Sequence, residues 1–209
     1  MGILNWLGVV FACLAILMGV RAFRRRELER FENLLRSQAA KRNGRVSLGG
    51  WLYYPKMIWI HDATRFSLSA MLGGNAADRR VATTYVAFNL MGSSNMRLSI
   101  RRRTRSLQSI AEGGIGRRVE TGDVAFDDKY DIGPRAQVRD LVASLAWSEL
   151  RRALVAVQEV IDVEVLRGQC VVSTDSLAAN DDAMDAIIEV AIAMKRALGT
   201  RAESGTVAE

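Results

Sequence analysis

The sequence predicts an α+β fold: an N-terminal transmembrane helix and helical stalk, then an antiparallel sheet with two helices packed on one face. Three observations predict it. Residues 3–20 carry no charged side chain, residues 45–105 hold clustered strand patterns, and residues 120–198 read as helix, two strands and helix. Clustered strands with flanking helices favour α+β over alternating α/β architecture.

The uncharged run is long enough to span a bilayer. Eighteen residues make a helix of about 27 Å, close to the roughly 30 Å hydrocarbon core. Asn5 is its one clearly polar member, and Trp6 lies near an edge, where indole prefers the headgroup zone. No Lys or Arg precedes the run, whereas Arg21, Arg24, Arg25, Arg26 and Arg30 follow it. Positive charge stays on the cytoplasmic side, so the short N-terminus is expected outside and the remainder in the cytoplasm. A cleaved secretory signal has the reverse charge order. Around Cys13 the residues Val10, Phe11 and Ala12 resemble a lipoprotein cleavage box, but Phe11 is too bulky and the apolar run continues past the cysteine. An inert, lipid-buried thiol is the expectation there. Gly2 lacks the Ser or Thr that myristoylation needs four residues on, since Trp6 stands there.

Composition bounds the rest. The chain has 209 residues and two cysteines, Cys13 and Cys170, which cannot meet if one is in lipid. No disulfide framework is therefore expected, in keeping with a reducing compartment. Of the 29 basic residues 25 are Arg, and charge is split along the chain. Residues 120–209 carry 17 acidic and 9 basic side chains, net −8, so the remainder carries +14 to reach +6 overall. A basic half beside an acidic half suggests an anionic neighbour, and the membrane is the nearest.

Residues 23–43 read as a helical stalk, with Leu28, Phe31, Leu34 and Leu35 at helical spacing and Asn43 and Gly44 as the stop. A solvated stalk is the leading reading, and a partner-binding or self-pairing helix the alternative. Strands follow at residues 46–48, 51–54, 57–60 and 66–69, with Pro55 and Lys56 as a turn pairing the second and third. Two more strands, 83–91 and 96–100, are expected to pair across a turn at residues 92–95. Residues 106–122, with Gly113, Gly114 and Gly116, read as a flexible connection. Residues 126–132 read as a strand and 134–157 as a helix with Pro134 in its first turn. A hairpin then turns at Arg167 and Gly168. Asp181 is expected to cap a last helix ending at Leu198 and Gly199, and residues 199–209 are expected to be a disordered tail.

Chemistry-bearing motifs are few. His61 is the one histidine, so a multi-histidine zinc site is excluded, and no nucleophile elbow accompanies it. Asp123, Asp127, Asp128 and Asp131 form the densest acid group, but the sixth position is Asp128 rather than Gly and the twelfth is Pro134 rather than Glu. That is not a calcium loop. A capping role before the Pro134 helix is the leading reading. The glycines at 113, 114 and 116 with Arg117 and Arg118 fit neither a Walker loop nor a dinucleotide fingerprint. The stronger feature is Arg97, Arg101, Arg102, Arg103 and Arg105, in a stretch free of acids from Arg79 to Ala111. Three surfaces can meet it: the chain's own acidic half, anionic lipid, or nucleic acid. Sparse aromatic interleaving ranks nucleic acid last.

Residues 120–198, with Gly122, Asp123, Phe126, Asp127, Tyr130, Asp131 and Ile132 leading into a helix, a strand pair around Gly168 and a final helix, resemble a family of uncharacterised bacterial membrane-anchored α+β domain proteins. The segment 83–100 also looks like the part that precedes this pattern there. Tyr130 stands where Phe is common, a departure that keeps an apolar anchor in place. The family has no established activity, so the resemblance implies fold and location only.

These observations predict a membrane-tethered cytoplasmic interaction or scaffold protein. An enzyme without a visible motif and an anionic-lipid-docking module are the alternatives. No cofactor, metal or catalytic residue is assigned. The expected partners are the bilayer, through Arg21, Arg24, Arg25, Arg26, Arg101, Arg102 and Arg103, and a protein or a second copy through the stalk. Phe126, Tyr130 and Pro134 are the expected structural anchors.

Overall fold

The computed structural model describes residues 2–50, 53–74, 80–90, 96–103, 119–143, 146–159 and 161–204. One continuous helix, α1 (Gly2–Arg42), begins the chain. It stops where Asn43 turns left-handed at φ 52° and the Gly44 N–H donates to the Ala39 carbonyl, 2.9 Å away. Asn tolerates that conformation, so the stop read from the sequence has its physical cause. Among the described residues no helix is long and apolar enough to cross a membrane. The side chains of residues 3–14 lie outside them.

Strands β1 (Arg45–Ser47), β2 (Lys56–His61), β3 (Thr64–Gly74), β4 (Arg80–Asn89) and β5 (Arg97–Arg102) follow. Then come α2 (Val124–Lys129), β6 (Tyr130–Gly133), α3 (Arg135–Val142), α4 (Trp147–Ala156), β7 (Ile161–Leu166), β8 (Gln169–Thr174) and α5 (Asp181–Ser204). The strands form one eight-stranded antiparallel sheet in the order β1-β2-β3-β4-β8-β7-β5-β6.

Strand alternation puts one face of this sheet in the core. A single row crosses seven strands in register: Met57, Leu68, Val86, Val172, Val163, Ile100 and Ile132. All seven are buried. The neighbouring row runs Trp59, Phe66, Phe88, Cys170, Val165 and Leu98. Phe66 stacks on Trp59 at 5.1 Å and packs at 4.9 Å from Phe88. Buried side chains from all five described helices join these rows in one core, so these helices cover the same face. On the other face a Cβ built at Gly133 would meet nothing within 4 Å.

Several expectations give way here. The stalk is not a solvated rod: Phe31 and Leu35 are fully buried, and Leu28 and Leu34 are half-buried. The stripe is spent within the chain. Strands 83–91 and 96–100 are not partners, because β8 and β7 lie between β4 and β5. Period and turn residues identify strands but not neighbours, and 92–95 lie outside the described residues, as do 104–118 with the glycines of the expected connection. No hairpin turns at Pro55 and Lys56 either: β2 pairs with β1, Ser47 opposite Lys56. Residues 126–129 are the end of helix α2, not strand. The expected helix over 134–157 is two helices, and Pro134 is an exposed N-cap with extended backbone rather than a first-turn residue. The last helix is capped by Asn180, whose Oδ1 accepts from the Ala183 N–H at 2.9 Å. That helix continues to Ser204, past Gly199, where the tail was expected.

The expected turn at Arg167 and Gly168 is present, with φ of 52° and 78°. A second tight turn, between β2 and β3, escaped notice because it is built from Asp62 and Ala63, at φ 45° and 58°. Alanine in that region carries a steric cost that glycine does not. Replacing Ala63 by Gly should therefore stabilise the protein by about 1 kcal/mol, and Ala63→Val should destabilise it. Denaturant titration of the detergent-solubilised chain checks both signs.

Candidate functional site

The face of the sheet away from the core carries a cleft of about 420 Å³. It forms where two strands present small side chains side by side, Ser67 on β3 and Ala87 on β4, which are register partners. Longer residues stand around this low floor: Lys56, Arg65, Asn89 and Gln169, with Thr64 and Ala63 at the turn. Asn89 and Gln169 are themselves register partners across β4 and β8. Lys56 and Arg65 are exposed, and neither forms an ion pair with a described carboxylate. Among the described residues no acid lines the cleft. Two cations and two side-chain amides over a hydroxyl floor can hold an anionic or amide-rich group. Among the described residues the lining holds hydroxyls and an amine but no thiol or imidazole.

His61 ends β2, half-buried, with Nε2 3.4 Å from the Asp62 carboxylate. Asp62 also lies 3.6 Å from the Lys195 ammonium of α5. That is a strand-end tie, and no cluster of three metal-ligating side chains occurs among the described residues.

The sequence-singled arginines fall in two places. Arg21, Arg24, Arg25 and Arg26 follow one another on α1, where Arg25 bridges to Glu29 at 2.8 Å. Arg101 and Arg102 end β5, near the opposite edge of the sheet from β1 and β2, and Arg103 follows them. Alternation splits this trio. Arg102 lies on the core side opposite Tyr130, whereas Arg101 lies on the open side opposite Asp131. The Asp162 carboxylate accepts from the Arg102 backbone N–H at 3.3 Å. None of the three arginine side chains forms an ion pair with a described carboxylate.

The acid group has structural duties. The Asp123 carboxylate accepts from the Phe126 N–H at 2.8 Å, capping α2 rather than the later helix, and meets Arg151 at 2.6 Å. Asp127 is buried and accepts from both the N–H and the hydroxyl of Thr121. Phe126 and Tyr130 are buried, 5.4 Å apart, and Trp147 packs edge-on against Phe126. The Tyr130 hydroxyl donates to the Leu154 carbonyl at 3.1 Å. Burial pushes that phenol up to about 12. Lys129 donates to the Val155 carbonyl at 3.1 Å and to that of Val157, closing the C-terminal end of α4. Burial, and then the Arg102 charge, lowers its pKa.

The basic and acidic halves meet along a seam between α1 and α5. Gln38, fully buried, donates to Asp181 Oδ1 at 3.1 Å, and the Ser37 hydroxyl donates to Asp181 Oδ2 at 2.7 Å. Lys41 and Arg42 donate to the two oxygens of Asp185 at 2.8 and 2.6 Å. The hydrogen bond to Asp185 raises the pKa of Lys41. Burial by itself raises the Asp185 carboxyl, but hydrogen bonds from Lys41 and Arg42 outweigh it and hold the group below the usual carboxylate range. Sequence reading missed Gln38, since a polar residue on an apolar-striped helix looks like its solvent face. The net-charge split was the only signal of the seam.

Comparison with protein-family models, with curated proteins and with solved structures finds no match.

The Asp185 shift has a defined sign. A depressed folded pKa stabilises above the unfolded value of about 3.9, and that contribution is lost as pH falls through the folded value. Asp185→Asn should flatten the acid limb of the stability profile below about pH 4. Thermal melts of both proteins across this range provide the check, and parallel profiles would contradict the assignment.

Proposed function

We propose that this chain is a single-pass tether holding an α+β interaction domain at the cytoplasmic face of a bacterial inner membrane. Support for the tether is the uncharged run 3–20, which lies within one unbroken helix of 41 residues. Support for its direction is the arginine group at 21, 24, 25 and 26. The resemblance of residues 120–198 to membrane-anchored bacterial proteins agrees with both.

The observation that carries the interaction role is the cleft on the open sheet face. A scaffold needs a surface that its own fold leaves unused, and this face is free of helices among the described residues. Lys56 and Arg65 have no counter-charge among the described residues, which favours an acidic segment of another protein as the partner. Charge-assisted hydrogen bonds from such cations are the stronger kind, and amide partners such as Asn89 and Gln169 supply orientation.

A photo-crosslinking residue at Ser67 should capture a protein in the host cell, and one at Leu177, on the loop before α5, should not. Lys56→Glu with Arg65→Glu should abolish the capture. A C-terminal reporter active only in the cytoplasm tests the direction, and activity of a periplasm-only reporter would reverse it.

A further inference from the structure

Strand polarity gives the domain a definite end nearest the start of the chain. Moving toward the N-terminus along α1, Gly44 lies against Ile58 of β2, Phe31 packs edge-on to Tyr54 at 5.8 Å, and Glu27 meets the Tyr54 hydroxyl at 3.4 Å. Tyr54 precedes β2, so the uncharged run leaves past the beginning of β2. Arg30 donates to the Ala179 carbonyl at 2.6 Å, which places the start of α5 at that end too. In an antiparallel sheet the register then fixes every other strand. That end holds Ser47 of β1, Lys56 of β2, the Gly74 and Arg80 pair of β3 and β4, Thr174 of β8, Ile161 of β7 and the Arg102 and Tyr130 pair of β5 and β6. The carboxyl end of β5, with Arg101, Arg102 and Arg103, therefore faces the same way as the uncharged run, although α1 and β5 are far apart across the sheet.

Exposed apolar side chains gather at the same end. Leu48, Tyr53, Met71 and Leu72 are 64, 73, 44 and 48 % exposed. Leu48 follows the last residue of β1, Tyr53 precedes β2, and Met71 and Leu72 sit opposite Thr83 and Ala82 at the outer part of β3. At the far end Ile60 and Leu166 are the large apolar residues left exposed on the sheet. Apolar side chains toward one edge of this end, and toward the other edge arginines with no ion pair among the described residues, are the chemistry of a protein surface lying on anionic lipid.

We infer that the domain does not swing free on its tether but rests this end on the anionic lipid surface, Leu72 and Met71 entering the interface and Arg101, Arg102 and Arg103 meeting phosphate groups. The inference rests on the tether reading. It adds a second contact with the bilayer, on the other side of the sheet from α1. The cleft runs from Lys56, at the lipid-facing end of β2, to Arg65 near the β2–β3 turn, so its Arg65 end stays on the side away from lipid.

The test uses the full chain reconstituted in vesicles containing anionic lipid, in a Cys13→Ala background; Cys170 is buried and does not label. A fluorophore is placed on Leu72→Cys, or on Ile60→Cys as the far-end control, and quenching by spin-labelled lipid is read. Quenching at 72 should exceed that at 60 by about threefold or more, and should fall toward the control at high salt or in uncharged lipid. Arg101→Ser with Arg102→Ser and Arg103→Ser should give the same fall. Equal quenching at the two positions, in a chain that floats with the vesicles, overturns the docking and assigns the end to a soluble partner. Salt-insensitive quenching at 72 overturns the role of the arginines, whatever the fate of the triple variant. A chain that fails to float with the vesicles overturns the tether itself.

Discussion

The burial of one face of an eight-stranded antiparallel sheet is the constraint on which the rest of this structure depends. Once Met57, Leu68, Val86, Val172, Val163, Ile100 and Ile132 lie in one inward row, a one-residue slip of any strand would turn its apolar set to water. Register is thereby pinned across seven strands, and the outward rows follow without further specification. The cleft floor of Ser67 and Ala87 lies directly behind the inward Leu68 and Val86, one residue along each strand. The site is thus a by-product of core packing: small residues are tolerated on the outer face because the inner face holds the sheet.

The same constraint explains how α1 becomes part of the domain. Its apolar stripe of Phe31 and Leu35 fills the core beside β2, while polar residues beyond them, Ser37, Gln38, Lys41 and Arg42, engage the start of α5. A buried Gln is acceptable only because Asp181 accepts its hydrogen bond. The seam uses charge where two helices of opposite net charge come together, and packing where helix meets sheet. The seam ties α1 to α5, and Lys195 ties α5 to Asp62 in the turn beside the cleft.

Much of the local structure was legible. The apolar spacing of α1, the Asn43 stop, the Arg167 and Gly168 turn and the buried roles of Phe126 and Tyr130 follow from periodicity and turn chemistry. What was not legible is non-local. Which strands are neighbours depends on where the β7–β8 hairpin inserts, and no local pattern encodes that. Whether the Leu34 and Leu35 stripe faces water, a partner or its own sheet is equally a property of the whole chain. The Asp62 and Ala63 turn lacked the glycine that normally announces one. The cleft was invisible because its floor is defined by two small residues 20 positions apart, brought together by register alone. The arginine trio was legible as charge, but its division between the two faces follows only once β5 is known to be a strand there.

The insertion of β7 and β8 between β4 and β5 also has a consequence for how the protein is made. When β4 leaves the ribosome, β3 can pair with one of its edges, but the partner of the other edge is β8, the last strand. That edge waits for about 80 further residues, several seconds at about 5–20 residues per second. An unpaired strand edge is a template for pairing with another chain. The N-terminal half is therefore born with an open side, which closes only when the β7–β8 hairpin arrives.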